Sequence, residues 1–451
     1  MFDETIFFMM TDHILFALCI FILIGSVFIS FKTNFIQIRF IPALFQMMKT
    51  AMSQEKQKTD AHTIAPNRAL FTAMSTTLGI GSIVGPIFAI SLGGPGALIG
   101  FLLTAFFGSA ATYTEVNLCI KYRKRLESGK IQGGPMQYLE QLLSPKAAVW
   151  YAVCGSLLMA GWSGAQANQL AAILDSPLLG DYRIPTFVSA TVLAALVLFV
   201  LIGGTKRVSS ISAKIVPVMF VLYLGSLFWI LGTNITLLPG VFEKIFEGLF
   251  SPYALASGAL VGGIVSSMRW GIFKGTQVTE AGVGTQTIPH SMAETNDPHS
   301  QGMLAMLSTY SAGMIAFLSG CVALITNTWQ NPELPLGISM VAASFEMYFS
   351  YFGIAIVAIS TLLFAFGTIL GNSYNGSQCF DYLTKGRGVY AYYIGSVILI
   401  FLGTIADAKN VWSYIDFGLA FIVLPHMTAL IIYAYKYMGS KISTKPVRDI
   451  L

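Results

Sequence analysis

The sequence predicts an all-α integral membrane protein, a five-plus-five inverted repeat with one extra N-terminal helix and about eleven membrane crossings. Three observations predict it: an apolar composition, basic residues gathered on one side, and a glycine motif that recurs roughly 200 residues later.

Of 451 residues, 55% are apolar, 13% aromatic and only 10% charged. A water-soluble globule with that balance would precipitate, whereas lipid accepts it. A helical crossing needs about 20 apolar residues, because the hydrocarbon core is about 30 Å thick and backbone groups inside it must bond within their own segment. Apolar runs bounded by Gly, Pro and charge give helices at 13–31, 68–92, 96–120, 147–173, 186–203 and 213–232. One crossing follows within 256–295, then 301–326, 338–372, 389–405 and 410–435. Asp3, Glu4 and Asp12 stand where a secretory signal would be basic, so 13–31 is expected to stay as a helix.

Threading these helices in order puts Lys32–Arg68, the cluster Lys121–Lys146, Lys206–Lys214, Lys385 with Arg387, and the tail Lys436–Arg448 on one face. The other face receives Arg183, Lys244 and Lys409. Translocating Lys and Arg is disfavoured, so the crowded face is read as the inside, with the amino terminus outside and the carboxyl terminus inside. The predicted location is a multi-pass position in a bacterial-type inner or plasma membrane. The net charge of +5 is spread over short loops and not gathered on one face, which argues against a nucleic-acid partner. Cys19, Cys119, Cys154, Cys321 and Cys379 lie singly in or beside apolar segments, as small buried residues without metal or disulfide spacing.

Gly79-Ile80-Gly81-Ser82 is echoed by Gly282-Val283-Gly284-Thr285, each followed by a proline, Pro86 and Pro289. Five helices per unit is an odd number, so the second unit enters from the opposite face. In such secondary transporters the first helix of each unit is broken at mid-membrane, where unwound backbone holds solute and cation. Close packing by small residues is the bland alternative for either motif alone; two at matching places favour a site. The predicted units are 1–66, an extra helix with a cytoplasmic segment; 67–235, the first repeat; 236–269, an extracellular connector; 270–436, the second repeat; and 437–451, a cytoplasmic tail. The seventh crossing is thereby expected at about 270–295, with Ala256–Ser267 at the outer surface or re-entrant.

Phe71–Ile90 reads FTAMSTTLGIGSIVGPIFAI and is followed by Gly93-Gly94-Pro95-Gly96-Ala97. Further on stand Glu115 with Lys121-Tyr122-Arg123, Gly133-Gly134-Pro135-Met136, Gln166-Ala167-Asn168, Glu280-Ala281-Gly282-Val283-Gly284, Gln301-Gly302 and Phe364-Ala365-Phe366. In this order, over roughly residues 65–385, the chain resembles the alanine/glycine:cation symporter family, the sodium:alanine symporters. The resemblance implies the inverted five-plus-five amino-acid/cation symporter fold and symport of a small neutral amino acid such as alanine or glycine. It also implies coupling to sodium, or to protons, by alternating access. The chain departs from the family pattern at Ser82, Thr279, Gly367, Asn372 and Ser377. Asn372 stands where the family has Trp, which enlarges and polarises the expected pocket and predicts a selectivity other than strict alanine or glycine.

The expected solute site gathers Thr76, Gly79, Gly81 and Ser82 at the first break with Gln166, and Gly282, Gly284 and Thr285 at the second with Asn372. Thr77, Thr279, Glu280 and Thr368 are the expected cation-binding residues. An ionisable group inside the membrane is costly, so Glu280 either supports the break or a cation, or pairs with a base such as Lys274. Gln166 and Asn168 diverge by about 200° on one helix, so Gln166 is set facing the site and Asn168 in an interhelical hydrogen bond. Each hydroxyl could instead bond its own backbone. Glu115 is expected in an interfacial ion pair, and His290 and His299 at the watery inner end.

No nucleotide-binding loop, H-E-x-x-H or C-x-x-C element is present. Neither an enzyme, a cofactor beyond a coupling ion, nor an obligate protein partner is expected; the partners are the solute and the bilayer. Two other readings stay open, an amino-acid sensor or uncoupled carrier of the same fold, and a passive channel.

Overall fold

The computed structural model describes residues 4–40, 62–127, 129–250 and 260–438. The chain opens with α1 (Glu4–Lys32) and a short α2 (Ile36–Phe40). The first unit follows: α3 (Pro66–Thr77) and α4 (Gly81–Gly93), two halves of one interrupted crossing, then α5 (Ala97–Tyr122). A small hairpin, β1 (Lys124–Arg125) with β2 (Ile131–Gln132), leads to α6 (Pro135–Leu142), α7 (Pro145–Leu174), α8 (Thr186–Leu201) and α9 (Gly204–Thr233). After α10 (Leu238–Leu249), the second unit runs α11 (Leu260–Thr279) and α12 (Thr287–Ser291), α13 (Pro298–Thr326), α14 (Ile338–Phe349), α15 (Tyr351–Thr384), α16 (Val389–Ile405) and α17 (Ala408–Tyr433).

Eight of these spans are long and apolar enough to cross a membrane by themselves. The sixteen and seventeen residues of α8 and α16, with the interrupted α11–α12, complete the crossings expected from hydropathy. Each crossing of the first unit has its counterpart roughly 200 residues on. The two units run in opposite directions: Ile64, just before α3, forms a bridge with Ala293, just after α12. The start of one interrupted crossing therefore lies at the same face as the end of the other. Counterparts also pack on each other, α5 against α13 and α7 against α15.

Small residues let the units interlock, as expected where lipid removes the hydrophobic drive between helices. A side chain at Gly271 of α11 would strike the Ala97 carbonyl of α5, and one at Gly403 of α16 would lie 2.6 Å from the Gly164 Cα of α7. Asn168 sits beside that contact and donates to the carbonyls of Gly403, Thr404 and Ala406, closing the end of α16 across the helix interface.

Two boundaries differ from the sequence expectation. The seventh crossing begins at Leu260, ten residues before the predicted 270, so Leu260–Ser267 belongs to the crossing and not to an outer-surface segment, while 256–259 falls outside the described residues. An apolar helix end carries no marker separating it from a re-entrant turn. The predicted single helix 338–372 is two, because Ser350 adopts φ of +53° and reverses the chain between α14 and α15. The tail from 439 lies outside the described residues.

Candidate functional site

The first interruption frees the amides that follow Thr77. Gln166 of α7 reaches across, and its Oε1 accepts from the Ile80 amide at 2.7 Å. Thr368 of α15 donates to the Ser75 carbonyl at 2.9 Å. A methyl group on Gly79 would come within 2.8 Å of the Thr368 hydroxyl and 3.1 Å of Gln166 Oε1, so only glycine admits both neighbours.

The second interruption, 280–286, is wound left-handed at three positions: Glu280 (φ +51°), Gly282 (+76°) and Gly284 (+93°). Glycine adopts this at no steric cost, but glutamate does not, and strain of that kind gathers at functional sites. The freed groups are claimed by side chains from several helices. Gln286 Nε2 donates to the Thr279 carbonyl at 2.7 Å, Tyr151 donates to the Val283 carbonyl at 2.7 Å, and His426 Nδ1 bonds the Gly282 carbonyl at 2.8 Å. Tyr138 and His426 Nε2 join at 2.5 Å behind it.

Glu280 links the two interruptions. Its Oε2 accepts from Thr76 of the first at 3.3 Å and from Thr285 of the second. The residue is only 2% exposed, and among the described residues no salt bridge reaches it. Lys274, a partner suggested by the sequence, is instead bound to Asp416 of α17, with Nζ at 2.9 and 3.0 Å from the two carboxylate oxygens. Gln277 donates to the same carboxylate at 2.5 Å. One turn of helix carries Lys274 and Gln277 to the same face of α11, while Glu280 leaves the helix at the interruption and turns away.

A cavity of about 30 Å³ lies between these groups. Thr76, Thr77, Gly79, Gly81, Gln166, Glu280, Thr368 and Asn372, all predicted from the sequence, line it. Phe88, Trp162, Lys274, Gln277 and Trp412 also line it. Asp416, behind Lys274, had a sequence signal, an acid within an otherwise apolar span; the aromatic residues of the wall had none, since rings are common in such helices.

Five predicted residues do not line this cavity. Ser82 turns back to the Thr77 carbonyl at 3.3 Å and Thr279 to the Gly275 carbonyl at 2.8 Å, the local bonding that hydroxyls prefer in apolar surroundings. Gly282 and Gly284 pack on Met427, His426 and Pro135, and the Thr285 hydroxyl is committed to Glu280. Thr285 also offers its carbonyl to Asn375 at 3.3 Å.

Glu115 is fully buried and not interfacial. Its carboxylate faces the second interruption beside the Gly282 and Gly284 amides without a complete hydrogen bond, 4.0 Å from His426 Nδ1. A position six residues before Lys121 looked interfacial, but the interrupted crossing of the other unit covers it. His290 is likewise fully buried, bonded through Nδ1 to Gln301 at 2.6 Å, and His299 is bonded to Tyr113.

The family model described as the sodium:alanine symporter family matches residues 2–440. The chain belongs to that family. It is 32% identical to the sodium/alanine symporter AgcS of Methanococcus maripaludis, over 91% of this chain and 90% of that protein. It is 32% identical to an uncharacterized transporter of Haemophilus influenzae, over 90% and 88%, and 27% identical to the probable sodium/glutamine symporter GlnT of Bacillus subtilis, over 92% and 84%. A Na+-coupled sialic acid symporter shares the fold at 15% identity, with a TM-score of 0.55 over 88% of this chain and 81% of that one. The protein is a multi-pass membrane transporter of the amino-acid symport class and not an enzyme.

Proposed function

We propose that the protein carries a small neutral amino acid inward together with sodium, by exposing the cavity between the interrupted crossings alternately to the two faces of the membrane. Glu280 carries the reading. A buried carboxyl is stable only when a proton neutralises it or a cation balances its charge. Lys274 and Asp416 cancel each other, so Glu280 calls for a proton or a cation: a coupling ion, the ammonium of the solute, or both. Thr76, Thr77 and Thr368 line the same space, and hydroxyl oxygens suit a hard monovalent ion. Sodium is the proposed ion because relatives are named for it. The basic loops orient the chain with its carboxyl terminus inside the cell.

The test is uptake of labelled alanine, glutamine and serine into proteoliposomes. Saturable uptake driven by an inward sodium gradient, with sodium-dependent counterflow, supports the reading. Uptake indifferent to sodium but driven by a proton gradient replaces the coupling ion. Binding without flux under any gradient overturns the reading in favour of a sensor.

A further inference from the structure

Three residues that line the cavity each carry a buried polar atom without a partner: Asn372 Oδ1, Gln277 Oε1 and Trp412 Nε1. Asn372 is 1% exposed and Trp412 9%. An unsatisfied polar group in such surroundings costs free energy unless something that enters the cavity pairs with it. The three atoms comprise two acceptors and one donor. The other Gln277 group is already spent on Asp416, and the charge of Lys274 is cancelled by the same carboxylate, so this end of the cavity offers dipoles and no net charge.

Resting on the symport reading above, we infer that the protein selects amino acids with a carboxamide side chain, glutamine or asparagine. Trp412 would donate to the carboxamide oxygen, and Asn372 and Gln277 would accept from its NH2. A carboxamide supplies one acceptor and two donors, which is the complement of what the wall leaves open. A hydroxyl side chain has one proton and leaves an acceptor unpaired, an aliphatic one leaves all three, and an anionic one meets only Lys274, already paired with Asp416. The aromatic faces of Phe88, Trp162 and Trp412 bound the methylene part. The cavity of about 30 Å³ is the size of one water, so the wall must part for a side chain of this length to enter.

The experiment is competition in proteoliposomes between glutamine and alanine, for the wild type and for Trp412→Phe and Asn372→Leu. Trp412→Phe removes the indole donor and Asn372→Leu the carboxamide, and both keep apolar bulk. The expected wild-type preference is for glutamine, and each variant should lower the glutamine-to-alanine ratio of kcat/KM by about fivefold, the worth of one hydrogen bond. A ratio unchanged in both variants overturns the inference, because it means that these atoms bind the ammonium or carboxylate common to all amino acids. Wild-type preference for alanine also overturns it. Should a variant fail to fold, thermal-shift titration of the wild type with glutamine, asparagine and alanine decides: stabilisation by alanine alone overturns the inference. If no amino acid is transported or bound, it is the symport reading that falls.

Discussion

Glu280 combines three costs in one residue: burial, a carboxyl with no ion-pair partner among the described residues, and a left-handed backbone. Replacing it by glutamine keeps the size and an acceptor for Thr76 but removes the charge. Hydrogen bonds and contacts to an ionised group are worth about 1.5–3 kcal/mol, so Glu280→Gln is expected to weaken sodium activation of uptake about tenfold to a hundredfold, read from the sodium concentration giving half-maximal transport. Lys274 and Asp416 pose a different problem, a buried pair with little exposure on either side. Breaking such a pair costs about 3–5 kcal/mol, whereas removing both charges is often neutral. Lys274→Met should therefore lower the melting temperature in detergent sharply, and Lys274→Met with Asp416→Leu should recover most of the loss. Glu280 was legible in the sequence as a rare intramembrane acid, but its partners were not. Lys274 lies six positions away in the chain, and only the turn of the backbone at 280 decides that it faces Asp416.

The two interruptions are built alike: residues without side-chain bulk open the helix, and polar side chains from other helices satisfy what it releases. At the first, the glutamine on α7 takes the Ile80 amide, and Gln166→Leu would leave that donor buried and unpaired. The expected cost is about 1–3 kcal/mol, visible as a lower melting temperature together with reduced transport. Helix packing has the same dependence on small residues. Gly403→Val would force α16 from α7 at a cost of about 1–3 kcal/mol, while Gly395→Val on the same helix meets no neighbouring atom and should melt as the wild type does. Glycine pairs announced both interruptions in the sequence. Which glycines open the cavity and which only accommodate a neighbour was not legible, because Gly81 and Gly284 belong to the same motif and differ in backbone angle and in what packs on them.

The proposed alternating exposure requires the interrupted crossings to move relative to the rest of each unit, and the bridge between Ile64 and Ala293 ties the start of one crossing to the end of the other. Arg123 reinforces it by donating to the carbonyls of Ser291, Ala293 and Thr295. A disulfide between cysteines placed at 64 and 293 should abolish uptake, and reductant should restore it. Uptake that continues with the bond intact would show that this face need not part during transport. Measurement requires only the labelled uptake assay, with oxidant and then reductant.

By itself the sequence determined the membrane class, the number of crossings, the inverted repeat and the places where the crossings break. Hydropathy, chain length and the need for special backbone angles are local properties, and they are written residue by residue. Tertiary structure decided the rest: that Glu280 bridges the interruptions, that Lys274 belongs to Asp416, that Glu115 is buried, and that Asn372, Gln277 and Trp412 share one cavity wall. Those outcomes depend on which faces of distant helices meet. In lipid, that choice is made by close packing and by buried polar groups finding partners, and one sequence read along its length carries no record of either.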